Sequence, residues 1–215
     1  MSTSMDIEND IGAGWAEKYR PQSLEDCVLP EKMKAQFVKI RESGNGPHMT
    51  FVGTPGLGKT TAAKLFNPEN TMFFNASLLT DSYVAGEKFA AALSSLGLYG
   101  TNRRRVILLD EADGMNKSTQ KKLRGRIEEF SSSSQFILTV NEMWKINDAL
   151  QSRCKMFLFS HHDEQDALIA QFVNRCEEIR EQEHRTMPRE EVRMRVAKGY
   201  PDYRRILNDL QYATL

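Results

Sequence analysis

Short apolar runs and amphipathic stretches take turns along the middle of this chain. His48 to Val52, Thr71 to Asn75, Val106 to Asp110, Gln135 to Asn141 and Lys155 to Phe159 are of strand length and rich in Val, Ile, Leu and Phe, so each predicts a strand. Between them, Thr61 to Phe66, Ser82 to Ser95 and Ser118 to Phe130 predict helices, and Ser131 to Ser134 a loop. Ahead of the first strand, Lys32 to Glu42 carries Met33, Phe37 and Ile40 at helical spacing and is ended by Ser43-Gly44-Asn45-Gly46-Pro47. Apolar strands separated by amphipathic helices describe an α/β fold, a mostly parallel sheet covered on both faces. Sites in such folds lie outside the carboxyl ends of the strands. Past Ser160 the pattern turns helical: Asp163 to Glu183 with Asp163 as its cap, Pro188 to Ala197, and Asp202 to Tyr212. The expected division is a loose tail over 1–14, an α/β domain over 15–160 and a small helical domain over 161–215.

Composition narrows the partners. The 215 residues hold 29 Lys and Arg against 29 Asp and Glu, so any contact with nucleic acid must come from a local patch. Three widely spaced cysteines without a C-x-x-C pair argue against a disulfide scaffold and a zinc site, and a reducing cytoplasm is the default. No apolar run has the length of a membrane span, and Met1 to Gly14 is polar and acidic, unlike a signal peptide.

The chemistry centres on Gly53-Thr54-Pro55-Gly56-Leu57-Gly58-Lys59-Thr60, which fits G-x-x-x-x-G-K-[S/T] between a predicted strand and a helix opening at Thr61. A triphosphate needs many donors at close range, and the glycines let the loop wrap until backbone N–H groups point inward. The helix after the loop aims its positive end at the same spot. Lys59 supplies a mobile cation for the β and γ phosphates, and the Thr60 hydroxyl is placed to ligate Mg2+. The strand Val106 to Asp110 runs straight into two carboxylates. Asp110 is positioned to hold the Mg2+ shell and Glu111 to orient or deprotonate the attacking water.

Other residues read less sharply on their own. Asn141, at the end of the next apolar strand, suits either a turn or an amide that holds the lytic water. Arg153, in Leu150-Gln151-Ser152-Arg153-Cys154, has the look of a solvated or salt-bridged surface group. Trp15 to Pro21 reads as an N-terminal segment packed on the core.

Together these residues resemble the AAA+ ATPase subunits of DNA-polymerase clamp loaders, the small subunits of replication factor C and the main ATPase subunit of T-even-type phage loaders. The resemblance covers nearly everything from Trp15 to Leu210. Its specific pieces are Trp-x-Glu-Lys-Tyr-Arg-Pro at 15 to 21, Gln-Ser-Arg-Cys at 151 to 154, and Pro201-Asp202-Tyr203-Arg204-Arg205. It implies an AAA+ P-loop NTPase fold with a helical lid, ATP and Mg2+ as cofactors, and ATP hydrolysis coupled to opening a sliding clamp and placing it on primer-template DNA. By the same resemblance, Tyr19, Arg20 and Val28 border the adenine and ribose, and Asn141 is the first sensor of the γ phosphate. Arg153 is an arginine finger reaching the ATP of a neighbouring subunit, and Arg204 is the second sensor, in the lid. The partners implied are other loader subunits, the sliding clamp and primer-template DNA, with no membrane.

The Ser118 to Phe130 helix carries Lys117, Lys121, Lys122, Arg124 and Arg126 beside Leu123, Ile127 and Phe130, a basic face next to an apolar one. Most such charges belong to a solvated face. The resemblance places DNA there, with Gln120, Lys121 and Arg124 as contacts; Gly125 stands where replication factor C subunits carry a second arginine. Family members continue into a C-terminal collar, whereas this sequence stops at Leu215, so a second polypeptide or a split product is expected. The alternative is an ATP-binding assembly module with little hydrolysis of its own. A DEAD-box helicase reading of Asp110-Glu111-Ala112-Asp113 fails, because the segment after Phe159 is too short and too helical for a second RecA-like domain.

Overall fold

A computed structural model describes residues 14–94, 104–160 and 162–213. The expected tail lies outside the described residues but for Gly14, as do Ser95 and His161. The chain divides into two units. One holds Glu31–Thr54 and Lys59–Ser160; the other takes the described residues up to Pro30, Pro55–Gly58 and those from His162 onward.

In the first unit, α2 (Glu31–Ser43) leads to β1 (His48–Val52), α3 (Lys59–Phe66), β2 (Thr71–Asn75), α4 (Asp81–Ala85), α5 (Glu87–Ser94) and β3 (Arg105–Asp110). Then come α6 (Lys117–Glu129), β4 (Ser134–Val140), α7 (Asp148–Gln151) and β5 (Cys154–Leu158). All strand pairings are parallel and the order is β2-β3-β4-β1-β5. The inner strands are buried along nearly their whole length, which is why they appear in sequence as unbroken apolar runs. One face of the sheet packs Ile107, Leu109, Phe136, Leu138 and Val140 with Phe89, Leu93, Leu123 and Ile127 from the helices. The other face is aromatic: Phe37 of α2 stacks on Phe51 at 5.0 Å and meets Phe157 edge-on at 5.0 Å and Phe66 at 6.2 Å.

The topology creates the site. After β1 the chain passes over two sheet positions to reach β2, and the next strands fill inward, so connections leave in different directions beside the carboxyl end of β1. Ligands bind in α/β sheets where strand order switches in this way. Register brings Val52 opposite Val140 and Leu109 opposite Leu138, which places Gly53, Asp110 and Asn141 along one rim. The chain stays paired just beyond the strands, with Gly53 N–H donating to Val140 O at 3.2 Å and Phe159 N–H to Val52 O at 2.7 Å.

Two departures from the sequence reading have local causes. The single helix expected over Ser82 to Ser95 is broken: α4 is capped by Thr80, which accepts from Tyr83 N–H at 3.3 Å, and ends at Gly86, whose backbone is extended. Arg126 fills the break, donating to the carbonyls of Val84 (3.0 Å), Ala85 (2.5 Å) and Gly86 (3.3 Å), the last of which also accepts from Ala90 N–H at 3.3 Å as the next helix begins. The short helix α7 carried no apolar period; it is set by Asn147, whose side chain accepts from Leu150 N–H at 2.8 Å.

The second unit contains α1 (Trp15–Lys18), α8 (Gln165–Gln182), α9 (Arg189–Gly199) and α10 (Tyr203–Ala213). Asp163 does not cap α8: it lies in a 3-10 turn, His162–Glu164, and the helix opens at Gln165 without a side-chain cap. Trp15, expected to open the α/β domain, instead lies in a core with Phe172, Val173, Cys176, Ile179, Val192, Val196, Ile206 and Leu210. Its backbone N–H donates to Gln211 Oε1 at 2.9 Å. A bulky indole settles where apolar helix faces converge, and it carries the segment after it into this unit.

Candidate functional site

Lys59 opens α3 and is almost completely buried, 7% exposed. Its ammonium donates to Gly53 O at 2.6 Å, Thr54 O at 2.8 Å and Asn141 Oδ1 at 2.8 Å. A buried ammonium needs partners for its three protons, and here its own loop and the tip of β4 provide them. The loop reaches this shape through Gly56 (φ +85°) and Gly58 (φ +79°), values that L side chains rarely adopt. Within the helical unit Gly56 O accepts from Tyr203 N–H at 3.2 Å, and a Cβ on Gly56 would overlap the Asp202 carboxylate, so this position needs glycine twice over.

A second cluster lies one strand across. Thr60 Oγ1 donates to Asp110 Oδ1 at 2.7 Å, and Thr139 Oγ1 donates to the same oxygen at 2.6 Å. Thr139 also accepts from Glu111 N–H at 3.0 Å. Glu111 itself stands in the left-handed region, φ 56° and ψ 46°, with its side chain exposed. A non-glycine residue held there costs on the order of 1 kcal/mol and persists where surrounding bonds over-determine it, as the Thr139 bond does here. Thr139 was not singled out from sequence. Its signal was a hydroxyl, 2% exposed, inside the otherwise apolar strand Phe136 to Val140.

The cluster fits Mg2+ carried on a nucleotide. One hydroxyl and one carboxylate converge at Thr60 and Asp110, and among the described residues no group of three His, Cys, Asp or Glu forms an all-protein cage. Magnesium bound through phosphates and water asks for one or two such oxygens.

The structure brings Lys59, Thr60, Asp110, Glu111 and Asn141 together on the rim. Arg153 makes its bonds elsewhere: Nε donates to Glu128 Oε1 at 2.8 Å, Nη2 reaches the same carboxylate, and Nη1 donates to Ala149 O at 2.5 Å. Its carboxylate partner sits on α6, near the end of the helix.

The basic face expected on α6 is divided. Lys122 pairs with Asp81 at 3.6 Å and Arg126 caps α4, so both belong to packing between helices. Gln120 is inward, 1% exposed, donating to Met115 O (3.1 Å) and Lys145 O (3.0 Å) and accepting from Asn147 N–H at 2.9 Å. Its carboxamide is therefore no surface contact in this structure. At 100° per residue, Lys117, Lys121, Arg124 and Glu128 share the strip between Gln120 and solvent.

In the helical unit Tyr19 Oη donates to Glu183 Oε1 at 2.5 Å, with Lys18 Nζ 2.9 Å from the same oxygen. Burial first, and then the Glu183 carboxylate, push the phenol up to about 12, so it remains a donor. Arg20 pairs with Glu17 at 2.6 Å, Val28 packs against the helical core, and Arg204 is exposed at the first turn of α10.

The profile of the ATPase family associated with various cellular activities (AAA) matches residues 49–162, a span holding the glycine loop, Asp110, Asn141 and Arg153. The chain belongs to the AAA family. Its fold is the AAA+ P-loop fold: the RuvB Holliday junction branch migration motor of Thermotoga maritima superposes with a TM-score of 0.65 at 22% identity, over 90% of this chain and 64% of that one. Among curated relatives, the replication factor C small subunit of Natronomonas pharaonis is 37% identical over 166 residues, 71% of this AAA chain and 50% of the relative. The sliding-clamp-loader large subunits of Enterobacteria phage T4 and Escherichia phage RB69 are 34% and 35% identical, over 90% and 92% of this chain and 62% and 64% of theirs. The chain thus spans between 50% and 64% of the length of these relatives.

Proposed function

We propose that this AAA protein is an ATP-hydrolysing subunit of a sliding-clamp loader, coupling ATP binding and hydrolysis to the placement of a clamp on primer-template DNA. The observation that carries the reading is the meeting of Lys59, Asn141, Thr60 and Asp110 at the carboxyl rim of β1, β3 and β4. Its support in the relatives is that replication factor C small subunits and phage clamp-loader subunits match over most of this chain.

ATP with Mg2+, when bound, supplies the phosphoryl group and the metal that offsets its charge. The Gly53–Thr60 loop binds the phosphates through backbone N–H groups. Lys59 exchanges its carbonyl partners for β and γ phosphate oxygens, a swap that keeps all its protons satisfied. Thr60 and Asp110 would hold the metal through their side-chain oxygens. Glu111 accepts the proton of the attacking water or orients it, and Asn141, released by Lys59, holds its amide toward the γ phosphate. Tyr19, Arg20, Val28 and Arg204 are assigned to nucleotide recognition on the same reading.

Arg153 is proposed to act on the nucleotide of a neighbouring subunit. A guanidinium arriving from another chain is worth about 10³ to 10⁵ in turnover where it acts, so hydrolysis becomes conditional on assembly. Lys121 and Arg124 are proposed as phosphate contacts, which makes DNA binding salt-dependent and nearly blind to sequence. ATPase measurements with native partners, with and without clamp and primed DNA, test the reading. Stimulation by all three together is expected, and a rate indifferent to them contradicts it.

A further inference from the structure

The turn after Asn141 presents an indole to water. Trp144 is 77% exposed in a 3-10 turn, Met143–Lys145, whose backbone is held on every side. Lys145 N–H donates to Glu142 O at 3.0 Å and Ile146 N–H to Met143 O at 3.0 Å. Gln120 grips Lys145 O (3.0 Å) and Asn147 N–H (2.9 Å), while Gln151 donates to Met143 O (3.3 Å) and Ile146 O (2.6 Å). An indole carried on a turn this well tied and left in water offers a rigid face on which a planar partner can stack.

The surroundings favour an anionic, aromatic partner. Gln120 joins the turn to α6 on the side where Lys117, Lys121 and Arg124 line the helix. Lys145 Nζ lies 5.4 Å from the indole centroid. Three acids in this region have partners: Glu142 pairs with Lys145 at 2.8 Å, Asp113 accepts from Glu142 N–H at 3.2 Å, and Glu128 pairs with Arg153, while Asp148 is exposed at the start of α7. The Glu142–Lys145 pair is half exposed, and such pairs exchange for a phosphate at little cost. Cations that track a backbone beside an exposed aromatic ring form the arrangement that binds unpaired nucleic acid, because every base offers a face for stacking.

We infer that Trp144 stacks on a base of the single-stranded stretch of a nucleic acid whose backbone lies along Lys117, Lys121 and Arg124. The inference rests on the DNA contact proposed above for α6 and adds to it the strand, the unpaired one, and the kind of contact.

Tryptophan fluorescence tests it directly, since the two tryptophans differ sharply, Trp15 at 4% exposure and Trp144 at 77%. The protein, assembled with its native partners, is titrated with a primer-template bearing a single-stranded overhang and with the same duplex made blunt. The overhang should quench emission and the blunt duplex should not. Trp144→Ala should remove the quenching and weaken overhang binding roughly tenfold, while Trp144→Phe, which keeps a ring, stays within about threefold. The salt slope should fall for Lys121→Ala but not for Trp144→Ala, which deletes no phosphate contact. Wild-type affinity in Trp144→Ala alongside a loss in Lys121→Ala overturns this inference and leaves the α6 reading standing. No effect of either variant overturns both. A shift of oligomeric state in Trp144→Ala with DNA affinity unchanged makes the indole a subunit contact, which also overturns it.

Discussion

Lys59 Nζ stands 2.8 Å from Asn141 Oδ1, joining the phosphate loop at the end of β1 to the tip of β4 across a separation of 82 residues. Each residue occupies the other in the structure, and on the proposed mechanism both turn to phosphate when ATP binds. Their substitutions should separate. Lys59→Ala should abolish nucleotide binding measured by calorimetry. Asn141→Ala should bind ATP within a few-fold of wild type and lose roughly 10²-fold in turnover, the size of effect expected when one preorganised donor to the reacting group is removed. Equal loss of binding in both variants contradicts the division of roles.

Glu111 and Thr139 form the next test. Glu111→Gln should leave nucleotide affinity intact and lower turnover by about 10²-fold or more, because on the proposed mechanism the water loses its base. Thr139→Val keeps the shape of the strand but strips the Glu111 N–H of its acceptor and Asp110 of a donor. Leaving a buried donor unpaired costs about 1–3 kcal/mol and a part-buried one less, so this variant should lose some thermal stability as well as turnover. A Thr139→Val protein with wild-type stability and rate shows that the bond does not hold Glu111 in place.

His48 predicts a dependence of stability on pH. Its Nδ1 accepts from Phe136 N–H at 3.1 Å, and burial, followed by repulsion from Arg104, pulls its pKa from 6.5 down to about 4. The unfolded chain therefore takes up this proton before the folded one does. The stabilisation is complete above about 6.5, declines as the pH falls toward 4, and levels off below that. Melting temperatures across this window should fall less steeply for His48→Asn, which retains an acceptor and does not titrate. Identical slopes for the two proteins remove His48 from the account.

How far the sequence was legible depends on where each partner lies. The strands could be read because a parallel sheet buries both faces of its inner strands, and β2 begins and ends where expected, at Thr71 and Asn75. The residues Lys59, Thr60 and Asp110 could be picked out because loop and strand-end chemistry is local in sequence, whereas Asn141 by itself suited a turn and became a site candidate only through the resemblance. Contacts between distant segments were not readable in this way. Trp15 gave no sign of packing on α8 to α10, and Gln120, on the face taken for DNA, gave none of turning inward to Lys145 and Asn147. Charge alone did not distinguish Arg126, which caps a broken helix, from Lys121, which is exposed. Thr139 escaped notice because a lone hydroxyl in an apolar strand is ordinary until the register sets it beside Asp110.

The central claim is that each nucleotide is hydrolysed with an arginine from the next subunit. It is tested most directly by mixing Lys59→Ala, expected to lack a working nucleotide site, with Arg153→Ala, which removes the proposed finger. With native partners, clamp and primed DNA present, each alone should be nearly silent. The mixture should recover a substantial part of the wild-type ATPase rate, because Lys59→Ala subunits lend Arg153 to intact sites. A mixture as silent as its components, or an Arg153→Ala protein that turns over at the wild-type rate, contradicts the claim.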